Sequence, residues 1–156
     1  MNFRKSTADD VPQLVELRKK QLIDEGTAET NIDSELERFF AEGLKSGTLI
    51  VWLATENAEA EQIIATAGVC FFQYPPSFTN KTGKIAYITN IYTKPEFRRQ
   101  GIAAKLLELV LKEAENKGCA FARLHASEQG KKLYEKFGFD DAQGFMIKKL
   151  QSVTEF

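Results

Sequence analysis

This chain is poor in the residues that announce a metal centre, a disulfide framework or a thiol catalyst. Among 156 residues there are two cysteines and one histidine. Cys70 and Cys119 show neither paired-metal spacing nor disulfide density, so both read as buried or incidental thiols, and no metal is expected. A surplus of one charge is also missing: 21 basic residues face 22 acidic ones, for a net charge of -1. That balance argues against general nucleic-acid binding, which shows a clear basic excess. The basic residues are scattered, apart from Arg98-Arg99 and Lys131-Lys132. No apolar run approaches the ~18 residues of a membrane span. The opening MNFRKSTADD lacks the apolar core of a signal peptide, which makes the cytoplasm the default compartment.

What is present is an ordinary globular composition, 43% hydrophobic and 28% charged. The length favours one domain, residues 1–156, large enough to bury a core. A weak first strand runs from Phe3 to Ser6. Thr7, Asp9, Asp10 and Pro12 signal a helix start; Val11, Leu14, Val15, Leu17 and Leu22 follow at helical spacing, and Gly26 stops the run. A second helix spans about Asp33 to Leu44, with Leu36, Phe39, Phe40 and Leu44 on one face and Gly47 at its end. Three strand-like segments come next: Leu49–Glu56, Gln62–Gln73 and Lys84–Lys94, the last two separated by the irregular YPPSFTNKTG. From Ala103 to Ala114 the apolar residues recur at helical spacing, and Asn116-Lys117-Gly118 supplies the stop. Cys119–Ala126 reads as a strand, Ser127 as an N-cap, and Glu128–Phe137 as a helix. Phe139 and Gly144–Leu150 suggest a final hairpin. Adjacent strands without intervening helices favour an antiparallel meander, whereas strand-helix-strand around Arg98 to Ala126 favours a parallel crossover. The fold class is therefore α+β, a mixed and mostly antiparallel sheet with helices on both faces.

The stretch PEFRRQGIAAKLL, Pro95 to Leu107, carries the chemistry. A glycine where a strand passes into a helix lets backbone N–H groups approach a ligand. The first amides of the helix have no internal partners and sit at the positive end of its dipole. Together they suit an anion such as a phosphate, although a solvated basic turn reads the same way locally. Neither common nucleotide loop is present. No Gly-Lys-Ser/Thr follows the gap of a P-loop, and one glycine stands where the dinucleotide fingerprint needs three.

Arg98-Arg99-Gln100-Gly101-Ile102-Ala103 resembles the Arg/Gln-x-x-Gly-x-Gly/Ala signature of the GNAT superfamily of N-acetyltransferases. Ile88 to Leu107 is similar to that family's strand, loop and helix throughout, and LHASEQGKKLYEKFGF (Leu124 to Phe139) to its later strand-helix segment. The resemblance implies an enzyme that transfers an acetyl group from acetyl-CoA to a primary amine of a small molecule or peptide. It implies direct attack in a ternary complex, without a covalent enzyme intermediate. By the same resemblance, the backbone from Arg98 and Arg99 through Gln100, Gly101, Ile102, Ala103 and Ala104 cradles the pyrophosphate. The main chain of Ile91, Tyr92 and Thr93 pairs with the pantetheine arm like an added strand, and an N–H near Ile91 or Tyr92 stabilises the oxyanion. Ser127 stands where many members have Asn against the pantetheine arm; a helix N-cap explains it equally well. Tyr134 matches the general acid that protonates the departing thiolate, in a position that would otherwise read as core.

No general base is evident. The strand Lys84 to Thr93 carries no carboxylate, and His125, the lone histidine, is more often structural in such a position. An acidic and aromatic set (Asp24, Glu25, Glu29, Asp33, Glu35, Tyr74, Phe78, Asp140 and Asp141) falls where this fold builds its acceptor pocket and would suit a cationic amine. Solvated helix faces explain the same charges. Partners are then acetyl-CoA and an amine, with no nucleic acid and no membrane, and with room for a homodimer. The competing reading is a non-catalytic acyl-CoA-binding sensor, which the retained Tyr134 disfavours.

Overall fold

A computed structural model describes residues 1–142 and 144–151 of the chain. They group into two compact units, Met1–His125 and a second that begins at Ala126. Among the described residues no helix is long and apolar enough to cross a membrane.

The first unit holds one five-stranded sheet with strands in chain order: β1 (Asn2–Lys5), β2 (Leu49–Thr55), β3 (Ala65–Gln73), β4 (Lys84–Thr93) and β5 (Phe121–Leu124). The first four are antiparallel, and β5 joins β4 in parallel. The mixed α+β sheet expected from the sequence is thus the sheet observed. Helices α1 (Val11–Asp24) and α2 (Asp33–Ser46) precede β2, and α3 (Ile102–Asn116) supplies the crossover from β4 to β5.

Period-two alternation sorts β2 between two layers. Leu49, Val51 and Leu53 are buried with Val11, Leu14, Val15 and Leu17 of α1 and Phe40 of α2. Trp52 points the other way, where its indole N–H donates to Glu113 of α3 at 3.1 Å. Lys5 of β1 pairs with the same carboxylate at 2.8 Å. Along α3, Ile102, Leu106, Leu107, Val110 and Ala114 are buried. Such a stripe gains about 1.5–3 kcal/mol for each large side chain removed from water. The start of α1 is pinned by Asp10. Its carboxylate accepts two bonds from the Arg4 guanidinium, at 2.8 and 2.9 Å, and one from the Thr7 amide at 2.7 Å. Those donors hold the Asp10 carboxyl below the usual carboxylate range, against the opposing pull of burial.

The second unit contains α4 (Lys131–Lys136), three residues later at its start than the sequence pattern suggests. Residues 128–130 form a turn instead. The Gly130 amide donates to the Ser127 hydroxyl at 3.2 Å, so Ser127 caps that turn rather than the helix it was expected to cap, whose N-cap is Gly130. The hairpin expected from Phe139 and Gly144–Leu150 is not formed among the described residues. Phe145-Met146-Ile147 places apolar side chains consecutively, which no one-sided strand can bury, and Gly144 enters the segment at φ +102°. Met146 and Ile147 are each 97% exposed.

Candidate functional site

The site in the first unit begins where β5 ends. Strand β4 is paired with β5 only from Ile85 to Ile88, opposite Phe121 to Leu124. Beyond that point Thr89–Thr93 of β4 continues with β3 on one side and, among the described residues, no strand on the other. A bulge lies at the same place: the β3 register shifts between Thr66 and Gly68, which pair with Tyr92 and Thr89. Asn90 absorbs the extra residue at φ +53°. Asparagine is one of the few non-glycine residues that enter the left-handed region readily. The Thr66 hydroxyl donates to the Asn90 carbonyl at 2.7 Å and fixes the bulge from below. A bulge bends its strand and raises its twist, and here it does so within the unpaired half of β4. Asn90 itself is buried, and its side-chain NH₂ has no acceptor among the described residues. The sequence reading passed over Asn90; an asparagine inside a β-branched strand was the available signal.

After β4 a short 3-10 turn, Pro95–Phe97, leads through Arg98 to Gly101 and into α3. Arg99 and Gly101 both lie in the left-handed region, at φ +63° and +78°. No amide from Arg99 to Ala104 reaches a protein acceptor among the described residues; the first bond of the helix runs from the Lys105 amide to the Gly101 carbonyl at 3.1 Å. Left-handed residues interspersed in a turn gather such N–H groups into an anion-binding concavity, and the dipole of α3 adds to it. A Cβ placed on Gly101 would meet no atom within 4 Å, so the turn is open beside it.

Arg98 acts differently from its neighbours. Its Nε donates to the Thr93 carbonyl at 2.8 Å, its NH2 pairs with Asp24 at 3.0 Å, and its guanidinium lies 5.5 Å from the Tyr92 ring centre. The side chain therefore ties the β4–α3 corner to the end of α1. The Tyr92 side chain belongs to the core shared with α1. Burial raises the pKa of its hydroxyl, and the neighbouring Asp24 carboxylate adds to the effect. Ile91 and Thr93 are half-buried, as are Ala103 and Ala104; Ile102 is buried, and Gln100 is exposed.

In the second unit the Tyr134 ring is 8% exposed and meets Phe139 edge to face at 6.1 Å. Gly130 makes room for it, since a Cβ there would sit 2.7–2.9 Å from the ring and hydroxyl.

An acetyltransferase (GNAT) family model matches residues 11–139. The chain belongs to the GNAT acetyltransferase family. Its structure is similar to the crystal structure of a predicted acetyltransferase with acetyl-CoA from Clostridium acetobutylicum, with 42% identity, 95% of each chain covered and a TM-score of 0.90. A GCN5-related N-acetyltransferase from Ralstonia eutropha shares the fold at 24% identity, with a TM-score of 0.84 over 96% and 97% of the two chains. Among curated proteins, a thialysine N-epsilon-acetyltransferase of Sus scrofa is 38% identical over 77 residues, 47% of this chain and 43% of its own. The match to this relative covers less than half of its length.

Within this GNAT chain several expected roles are already occupied. Of the acidic residues expected around an acceptor, Asp24 pairs with Arg98, Asp33 with Lys19 at 3.1 Å and Asp141 with Lys131 at 3.7 Å. Burial pushes the Cys70 thiol up to about 11, and the Cys119 thiol is also raised by burial. Neither suits a thiolate nucleophile at neutral pH. His125 is exposed, just past the end of β5.

Proposed function

We propose that the protein is an acetyl-CoA-dependent N-acetyltransferase acting on a primary amine by direct attack. One observation carries the reading. The unpaired edge of β4, Thr89–Thr93, runs straight into the unpaired amides Arg99–Ala104 at the start of α3. A ligand with an extended amide-bearing arm and a pyrophosphate at its end presents the matching acceptors and donors in that order. The arm adds to β4 as a strand adds to a sheet edge, and the diphosphate takes the amides of α3. Family membership and the acetyl-CoA complex of the Clostridium protein support the same choice.

On this reading a main-chain N–H at Ile91 or Tyr92, next to the Asn90 bulge, donates to the thioester carbonyl. The acceptor nitrogen attacks the carbonyl carbon, the C–S bond breaks, and Tyr134 gives its hydroxyl proton to the sulfur. The proton lost by the nitrogen passes to water, from which the Tyr134 phenolate is reprotonated. A main-chain oxyanion donor of this kind is worth about 3–4 kcal/mol. Ser127, beside the turn that leads to Tyr134, contributes its hydroxyl to the pantetheine arm in addition to its capping bond. The names of the curated relatives favour an acceptor whose amine ends a flexible side chain. Release of free CoA thiol from acetyl-CoA over a panel of primary amines tests the proposal. Amine-dependent release supports it; acetyl-CoA binding without release for any amine favours the sensor reading.

A further inference from the structure

A cavity of about 450 Å³ opens in the first unit between the last turns of α1 and the corner after β4, lined by Lys20, Ile23, Asp24, Tyr92, Lys94 and Glu96 among others. Its lining carries two lysines and two carboxylates. The Asp24 carboxylate is taken by Arg98 at 3.0 Å. Lys20 and Lys94 form no ion pair within 4 Å among the described residues, and neither does Glu96. Lys20 and Lys94 thus line one cavity without an ion pair, with the Glu96 carboxylate as the nearby opposing charge. Ile23, 49% exposed, supplies an apolar wall.

We propose that this cavity is an anion subsite in which Lys20 and Lys94 together hold a phosphate or carboxylate group. The electrostatics agree with the geometry. Burial lowers the pKa of the Lys94 ammonium, the nearby charge of Lys20 lowers it further, and Glu96 opposes them. Like charges left facing each other in a partly desolvated hollow cost free energy that an anion recovers. Lysine is a compact point charge with rotatable donors, fit for a phosphate or carboxylate of either orientation. Two sources share this chemistry. Lys94 stands between the β4 edge and the α3 cradle, so an outlying phosphate of the acyl-CoA is one. A carboxylate carried by the amine acceptor is the other. The proposal uses the acyl-CoA reading to choose its probes.

The test is calorimetry on the wild type and on the double variant Lys20→Gln/Lys94→Gln, with melting curves as a check on folding. One pair of probes is CoA and 3′-dephospho-CoA; the other is 5-aminopentanoate and pentylamine. The wild type should prefer the more anionic member of one pair by about tenfold, the worth of one charged hydrogen bond, and the double variant should lose that preference. Collapse in the CoA pair identifies the cosubstrate phosphate as the occupant; collapse in the amine pair identifies the acceptor carboxylate. Equal ratios in wild type and variant for both pairs overturn the subsite, as does a wild type with no preference in either. A wild type that binds no CoA sinks the acyl-CoA reading instead and leaves the amine pair to judge the cavity.

Discussion

Replacing Gly101 with valine separates a main-chain anion cradle from one made by side chains. Gly101 stands at φ +78° with nothing within 4 Å of an added Cβ, so the first carbon of a side chain meets no steric wall. Its cost in the free protein is backbone strain alone, about 1–2 kcal/mol for an L-residue in the left-handed region. In a chain of this size that lowers Tm by roughly 2–4 °C per kcal/mol. The cost to the ligand is larger. Either the left-handed turn survives and an isopropyl group stands in the open space, or the turn relaxes and swings its amides away. Each charged hydrogen bond lost is worth about 1.5–3 kcal/mol, roughly tenfold to a hundredfold in affinity. Calorimetric titration with acetyl-CoA, beside a melting curve in the same buffer, reads both quantities. Gly101→Val should bind at least tenfold more weakly while melting within several degrees of wild type. Unchanged affinity in a folded variant refutes the cradle. A greater loss from Arg99→Gln than from Gly101→Val refutes its main-chain character.

Tyr134→Phe should lower turnover by at least ~10²-fold, the lower range for an acid-base step, with acetyl-CoA affinity kept; wild-type turnover removes the hydroxyl from the chemistry. Gly130→Ala puts a methyl group 2.7 Å from the Tyr134 ring, so steady-state kinetics should show a fall in kcat larger than any loss of cosubstrate binding. For Asp10 the folded pKa is lowered, so its stabilising contribution is present above the ordinary carboxylate value of about 4 and is lost as pH falls through the lower folded value. Asp10→Asn should cost about 1–3 kcal/mol at neutral pH. The gap to wild type should close at acid pH in denaturant titrations, and a gap that widens on acidification contradicts the pairing with Arg4.

The elements most legible in the sequence were those whose apolar period is long and unbroken. In α3 the spacing from Ala103 to Ala114 foreshadows the buried stripe, and in β2 the alternation of LIVWL foreshadows the two layers. The glycine before α3 and the helix after it made the left-handed turn and the start of α3 readable, because the physics of a helix start is local. The Asn90 bulge left only the asparagine itself as a local signal, since its place depends on the register between β3 and β4, a property of two segments distant in the chain. For the same reason the Arg98–Asp24 pair could not be foreseen from either residue alone. The hairpin expected at Gly144–Leu150 rested on apolar content rather than on alternation. Phe145-Met146-Ile147 has the first without the second.

The early end of β5 carries a consequence for how a ligand is measured. A strand rises about 3.3 Å per residue, so the free edge from Thr89 to Thr93 is a slot of roughly 16 Å. Leu124, opposite Ile88, is its stop, and the turn into α3 is its mouth. Where β5 terminates therefore works as a ruler. Lengthening the pairing by two residues would shorten the slot by about 7 Å while leaving every amide of the cradle in place. On the proposed reading, an acyl-CoA anchored at the mouth by its diphosphate would then have its thioester halt short of the Asn90 bulge. If the arm docks there as proposed, the reach of the reactive carbonyl is set by the length of a neighbouring strand, in residues that need never touch it.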